Sequence, residues 1–168
     1  MRAHSDLWQL LRSSGTALEA TIAGVSMLPT LPDAARVRIR PSSGDVYQVG
    51  DVVVCVLKDE LYAHRIVRRD GAGPGALVVT IGDNRRLCDP PSRLSDLLGT
   101  VETFWEDPDW RVLPSPAPRS RPDQFMVTSN AWLLSVCARV HYGLARRLQG
   151  TLLHIASLPL YFKRLSTR

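Results

Sequence analysis

The stretch Gly50-Asp51-Val52-Val53-Val54-Cys55-Val56-Leu57-Lys58-Asp59-Glu60-Leu61-Tyr62-Ala63-His64-Arg65-Ile66-Val67 decides how this chain folds. Gly50-Asp51 opens an apolar run from Val52 to Leu57. Lys58-Asp59-Glu60 then turns the chain into a second run, Leu61 to Val67. Two such runs joined by three polar residues predict a β-hairpin.

The pattern repeats on both sides of the hairpin. Arg36-Val37-Arg38-Ile39-Arg40 alternates strictly, as a half-buried strand does with its arginines in water. That period also counts against a nucleic-acid patch, and no nucleic-acid partner is expected. Leu18 to Ala23, Ala76 to Ile81 and Leu98 to Trp105 read as further strands. Asp70 to Gly75 is a glycine-rich turn without the Gly-Lys-Ser/Thr of a phosphate cradle. Several short strands at close spacing predict a mainly β fold, a barrel or a sandwich.

The flanks differ in kind. Ser5 to Leu11 reads as a short capped helix closed by Gly15. Pro108 to Pro122 holds prolines at 108, 114, 116, 118 and 122, and is expected to be a linker without regular structure. Beyond it, Trp132, Leu133, Val136, Val140, Leu144, Leu148 and Leu152 recur at helical spacing as one apolar face, with Arg139 and Arg146 on another. Pro159 is expected to kink or end whatever helix follows Gly150. The expected organisation is a β-rich domain with a short N-terminal helix over 1–107, a linker over 108–124 and a basic amphipathic helical tail over 125–168.

Composition narrows the classes. At 168 residues and 45% hydrophobic the chain fits one domain with an appendage. The net charge of +5 is unevenly spread: no acid follows Asp123, while Arg139, Arg146, Arg147, Lys163, Arg164 and Arg168 do. Three cysteines, Cys55, Cys88 and Cys137, are too few and scattered for a disulfide framework. No Cys/His pair has zinc spacing, so neither a metal nor another cofactor is expected. The N-terminus has no apolar segment near the ~20 residues of a membrane span, nor a signal peptide's pattern. The expectation is a peripheral membrane-associated or cytoplasmic protein.

Four short motifs carry chemistry. In Gly24-Val25-Ser26-Met27-Leu28-Pro29-Thr30-Leu31 a serine follows an apolar run, so its hydroxyl stands where a strand ends. Ala63-His64-Arg65-Ile66-Val67, Ile81-Gly82-Asp83-Asn84 and Asp89-Pro90 complete the set. A serine hydroxyl attacks only when a neighbouring base takes its proton. Histidine suits that task because it titrates near neutrality. A carboxylate on the far ring nitrogen fixes the tautomer and stabilises the imidazolium. Ser26, His64 and either Asp83 or Asp89 supply these parts. Each alone also has a plain reading: Ser26 as a turn residue, His64 as a strand histidine, Asp83 as part of a hairpin turn and Asp89 as a loop residue. Cys88 reads as a small buried hydrophobe.

In this order the four motifs resemble the type I signal peptidase family, over roughly Thr21 to Val101. The match is closest to the branch found in archaea, the endoplasmic reticulum and some spore-forming bacteria, where histidine replaces the usual lysine base. The resemblance implies a coiled β-barrel or sandwich core and a serine endopeptidase that removes a signal or leader segment from a precursor polypeptide. It implies Ser26 as nucleophile, His64 as base and two aspartates six positions apart, as Asp83 and Asp89 are, with Asp89 the favoured partner of the histidine. Many members donate to the oxyanion from a serine two before the nucleophile. Here that position is Gly24, as in related inner-membrane peptidases, so the charge would rest on backbone N–H groups, chiefly that of Ser26. Arg65 matches the family pattern and, by strand alternation, faces away from His64 in a structural role. Some membrane contact is expected from the resemblance. The tail either lies at the bilayer interface or covers an apolar face of the barrel. A missing N-terminal anchor would suit a protease dedicated to one precursor. The alternative is a catalytically inactive member acting as a basic membrane-surface or partner-binding protein. A self-cleaving repressor uses a lysine base, and no lysine stands near the matching position.

Overall fold

The computed structural model describes residues 10, 13, 15–42, 46–57, 60–73, 75–116 and 119–165. It is mainly β. Eight strands, β1 (Leu18–Ile22), β2 (Ala35–Pro41), β3 (Val52–Leu57), β4 (Glu60–Asp70), β5 (Leu77–Ile81), β6 (Ser92–Arg93), β7 (Leu97–Glu106) and β8 (Asp109–Val112), form one sheet curled as a half-barrel. Its order is β1-β2-β7-β3-β4-β5-β6, with β8 beside β7. Among the described residues a long helix, α1 (Arg121–Leu165), follows the sheet.

The central hairpin forms as expected, with β3 and β4 antiparallel from Val52↔Arg65 to Leu57↔Glu60. The apolar run of β3 is continuous because both faces of the strand are covered. Val52 and Val54 join Val37, Ile39, Ala63 and Leu98 in one cluster, while Val53 and Cys55 join Tyr47, Ile66, Val78 and Leu97 in a second. Met27 and Leu31, from the loop after β1, are buried in the first cluster and pin that loop to the sheet. β2 alternates as predicted, with Val37 and Ile39 fully buried.

The structure departs from the sequence reading in four places. The arginines of β2 are not simply solvated. Arg36 and Arg38 both donate to Glu19, and the Arg38 guanidinium stacks 4.0 Å from the Trp110 ring. Weakly hydrated guanidinium groups gain from such aromatic faces. The proline-rich segment is not wholly irregular either, since β8 pairs with Thr103–Glu106 of β7. Pro108 and Pro114 bracket this strand, so the amides of Asp109–Val112 remain available to the ladder. The segment ends early: Ser120 caps α1, accepting from the Asp123 N–H at 3.3 Å, and Pro122 occupies the first turn, where a missing N–H costs nothing. Helical backbone also continues past Pro159, and the break in helical dihedrals falls instead at His141 (φ −152°, ψ 88°). The expected N-terminal helix lies outside the described residues, apart from Leu10 and Ser13.

The fourth difference is the face α1 uses. Val127, Ala131, Leu134 and Ala138 are buried at helical spacing, with the first three against Val79, Ile81 and Cys88. Of the face read from the sequence, Trp132, Leu133 and Val140 point outward, 55%, 53% and 85% exposed. The helix has two apolar faces, and the one with alanines lets the backbone approach the sheet. A chain ended at Arg119 should therefore expose Val79, Ile81 and Cys88. It should bind a hydrophobic dye and lose soluble yield relative to the full chain; equal solubility and dye binding would show that α1 is dispensable for the core.

Candidate active site

Three separate elements bring the expected residues together. Ser26 lies in the loop after β1, His64 in β4 and Asp89 in the loop between β5 and β6. The Ser26 hydroxyl is 2.9 Å from His64 Nε2, and His64 Nδ1 is 2.5 Å from Asp89 Oδ2. With the proton on Nδ1, the ring donates to the carboxylate and accepts from the serine. The His64 and Asp89 side chains are 9% and 15% exposed, so little water competes for these bonds. Tyr62, two residues back on the same face of β4, meets the imidazole edge-on with ring centroids 5.2 Å apart.

Asp89 is gripped by β5. Its backbone N–H donates to the Thr80 carbonyl at 2.8 Å, and the Thr80 hydroxyl donates to its Oδ2 at 2.7 Å. Thr80 escaped the sequence reading, although a lone hydroxyl inside Leu77-Val78-Val79-Thr80-Ile81 was a visible signal.

Asp83, the other candidate partner of the histidine, does not reach the imidazole. Its carboxylate is held by Arg65, with Nε at 2.9 Å and Nη2 at 2.8 Å, and by the Thr30 hydroxyl. The third arm of Arg65 donates to the Gly50 carbonyl at 2.7 Å. Alternation along β4 explains the division: His64 and Arg65 point to opposite sides, and each takes one aspartate. Burial pushes the Asp83 carboxyl up, but hydrogen bonds from Arg65 and Thr30 and the charges of Arg65 and Arg119 outweigh it and hold it below the usual carboxylate range. Asp83 is thus an anion at neutral pH, locked to a permanent cation.

The Gly82-Asp83-Asn84 turn lies directly on the Ser26 loop. Asn84 donates its N–H to the Ser26 carbonyl at 2.8 Å and its side-chain amide to the Val25 carbonyl at 3.2 Å. A Cβ on Gly82 would stand 2.5 Å from the Ser26 carbonyl oxygen, so only glycine permits this approach. Arg119, which the sequence did not single out, clamps the turn from outside, donating to the Arg85 carbonyl at 2.6 Å and those of Gly82 and Asp83 at 3.3 Å.

Gly24 has φ +108°, a conformation that side-chain-bearing residues avoid, and its N–H donates to Asp33 Oδ1 at 2.7 Å. A serine hydroxyl at this position does not suit the backbone. Among the described residues no acceptor takes the Ser26 N–H, which leaves it available to a developing oxyanion. Cys88 offers no rival nucleophile: burial, with Asp89 adding to it, pushes its thiol up to about 12. No group of three or more His, Cys, Asp or Glu side chains placed to hold a metal ion occurs among the described residues. A scan against models of known protein families finds no match to this chain, and a search of curated protein sequences finds none either.

Asp83→Asn should leave the buried Arg65 guanidinium facing a neutral amide and cost about 3 kcal/mol at pH 7. The folded carboxyl titrates below its ordinary 3.8, so its stabilisation is complete above that value and is lost as pH falls through the lowered folded value. Urea unfolding should show the gap between wild type and variant closing below about pH 4. A gap constant from neutral to acid pH would deny the pair this role.

Proposed function

We propose that this protein is a serine endopeptidase of the signal peptidase type, removing a signal or leader segment from a precursor polypeptide. The observation that carries the reading is the unbroken line from Ser26 Oγ through the His64 ring to Asp89. Three polar side chains from three elements meet in the order that nucleophilic catalysis needs. Ser26 Oγ attacks the scissile carbonyl carbon as His64 Nε2 takes its proton. Asp89 holds the ring and stabilises the imidazolium. The Ser26 N–H faces the oxyanion charge. His64 then returns the proton to the leaving amine, an ester to Ser26 remains, and water hydrolyses it by the same steps with His64 again as base.

A quenched-fluorescence peptide with alanine at the first and third positions before the cut is the starting substrate, following the preference of the family it resembles. Ser26→Ala and His64→Ala should each lower kcat on the order of 10⁴-fold or more. The wild-type rate should rise with pH as the base loses its proton. A Ser26→Ala variant as fast as wild type, or a rate rising only above about pH 9, would remove the mechanism.

The same proposal places the enzyme at an anionic membrane surface, docked through the outward face of α1. No helix among the described residues is long and apolar enough to cross a membrane. Phe125, Trp132 and Val140 are nonetheless 75%, 55% and 85% exposed along one side of the helix. The chain beyond Asp123 carries six basic residues and no acid, which complements anionic headgroups rather than a neutral partner. Each basic group near such a surface contributes about 1 kcal/mol, and salt screens it. Sedimentation with phosphatidylserine-containing vesicles should pull down the wild type at low salt, less at high salt, and a Phe125→Ser/Trp132→Ser variant only weakly. Concentration-dependent dimerisation without vesicle binding would make this face a contact between two copies instead.

A further inference from the structure

Asp89 stands in a loop of irregular backbone, yet the reading above needs its carboxylate fixed to a fraction of an ångström. Strand β5 holds one side of this loop through the Thr80 carbonyl and hydroxyl. The other side is held from a different part of the molecule. Asn130 Oδ1, on α1, accepts the backbone N–H of Cys88 at 3.0 Å. The Cys88 thiol points toward the Val127 carbonyl one turn earlier, at 3.7 Å, and its side chain is wholly buried among Val79, Ile81, Val127, Ala131 and Leu134.

We propose that Asn130 is a positioning residue for the catalytic carboxylate, acting on Asp89 through the amide of Cys88. The inference rests on the peptidase reading only in naming Asp89 as the carboxylate that orients His64. The geometry behind it is a clamp on consecutive residues. The Cys88 amide is tied to the helix and the Asp89 amide to the strand, so the two successive peptide planes that meet at the Cys88 Cα are each held. The Asp89 side chain leaves the backbone at the end of the second plane. Loss of the Asn130 oxygen takes the acceptor from an amide in a fully buried residue, and the loop must then shift to find another. Any shift moves Asp89 relative to Nδ1, and misplacements near 1 Å cost on the order of 10²-fold in rate. The Cys88 N–H needs an acceptor oxygen at 130, which an aspartate keeps and an alanine lacks.

The test uses the full chain, the alanine-containing fluorogenic peptide and the low-field proton NMR signal of the His64–Asp89 hydrogen bond, which needs no substrate. Asn130→Ala should lower kcat about 10- to 100-fold with KM unchanged within about twofold, and should displace or broaden the low-field signal. Asn130→Asp should restore most of both. Leu134→Ala, which loosens the same helix contact without touching the Cys88 amide, should lower the melting temperature while leaving the signal in place. The inference is overturned if Asn130→Ala keeps both kcat and the signal, if Asn130→Asp is as impaired as the alanine variant, or if Leu134→Ala moves the signal as far. Should the wild type leave the peptide uncut while its low-field signal still responds to Asn130→Ala, the peptidase reading fails and the positioning role stands.

Discussion

The site depends on how closely two turns approach each other. The Gly82 turn lies against the Ser26 carbonyl with no room for a methyl group, and the Asn84 amide bonds that same carbonyl. This contact sets where the serine loop sits relative to β5, and therefore where Oγ sits relative to the loop bearing Asp89. Backbone against backbone is a stiffer constraint than a side-chain contact, because no rotamer can relax it. Everything around the turn preserves the approach. Arg65 and Thr30 hold Asp83 from within, Arg119 holds three carbonyls from outside, and buried Met27 and Leu31 keep the serine loop down on the sheet.

The two aspartates show how one short stretch of strand assigns different jobs to like groups. His64 and Arg65 are neighbours in sequence and lie on opposite sides of β4. Arginine does not lose its charge at any pH the protein survives, so Asp83 paired with it makes a static tie. Histidine can take up and release a proton on its ring, so Asp89 paired with it makes a tie of a different kind. The first pair suits architecture and the second suits proton transfer. Had the register of β4 slipped by one residue, both pairs would be broken, because such a slip turns every side chain to the other side. The β3–β4 pairing thus sets the geometry of both pairs as well as stability.

Much of this was legible in the residues. Alternation in β2 and the paired apolar runs of β3 and β4 report burial directly, and Ser26, His64 and Asp89 stand in short motifs that mark them. What could not be read falls into two kinds. Some failures came from averaging: five prolines over one segment conceal the four non-proline residues that form β8, and two apolar faces on α1 cannot be ranked by period alone. Others came from partners distant in sequence. Nothing local ties Asn130 to Cys88, 42 positions away, or Arg119 to the carbonyls of Gly82 and Asp83. A backbone carbonyl or amide has no sequence identity, so a side chain that serves one leaves no motif. The choice between Asp83 and Asp89 was of this second kind, because it turned on where Arg65 points.

Helix α1 joins the stability of the fold to the geometry of the site. Its inner face covers Val79 and Ile81, which belong to the strand that also presents Thr80 to Asp89. Its first turns carry Val127 and Asn130 to Cys88. The sheet edge beyond β5 is only the two-residue β6, too short to hold the Asp89 loop against β5 by a ladder alone. A helix laid over that edge supplies what a longer strand would otherwise provide. The same placement leaves outward Trp132, Leu133 and Val140 on the element that reaches the carboxylate loop. Whatever covers those side chains bears on the element that clamps Cys88. The appendage and the site are therefore mechanically one unit, even though they read as separate regions of sequence.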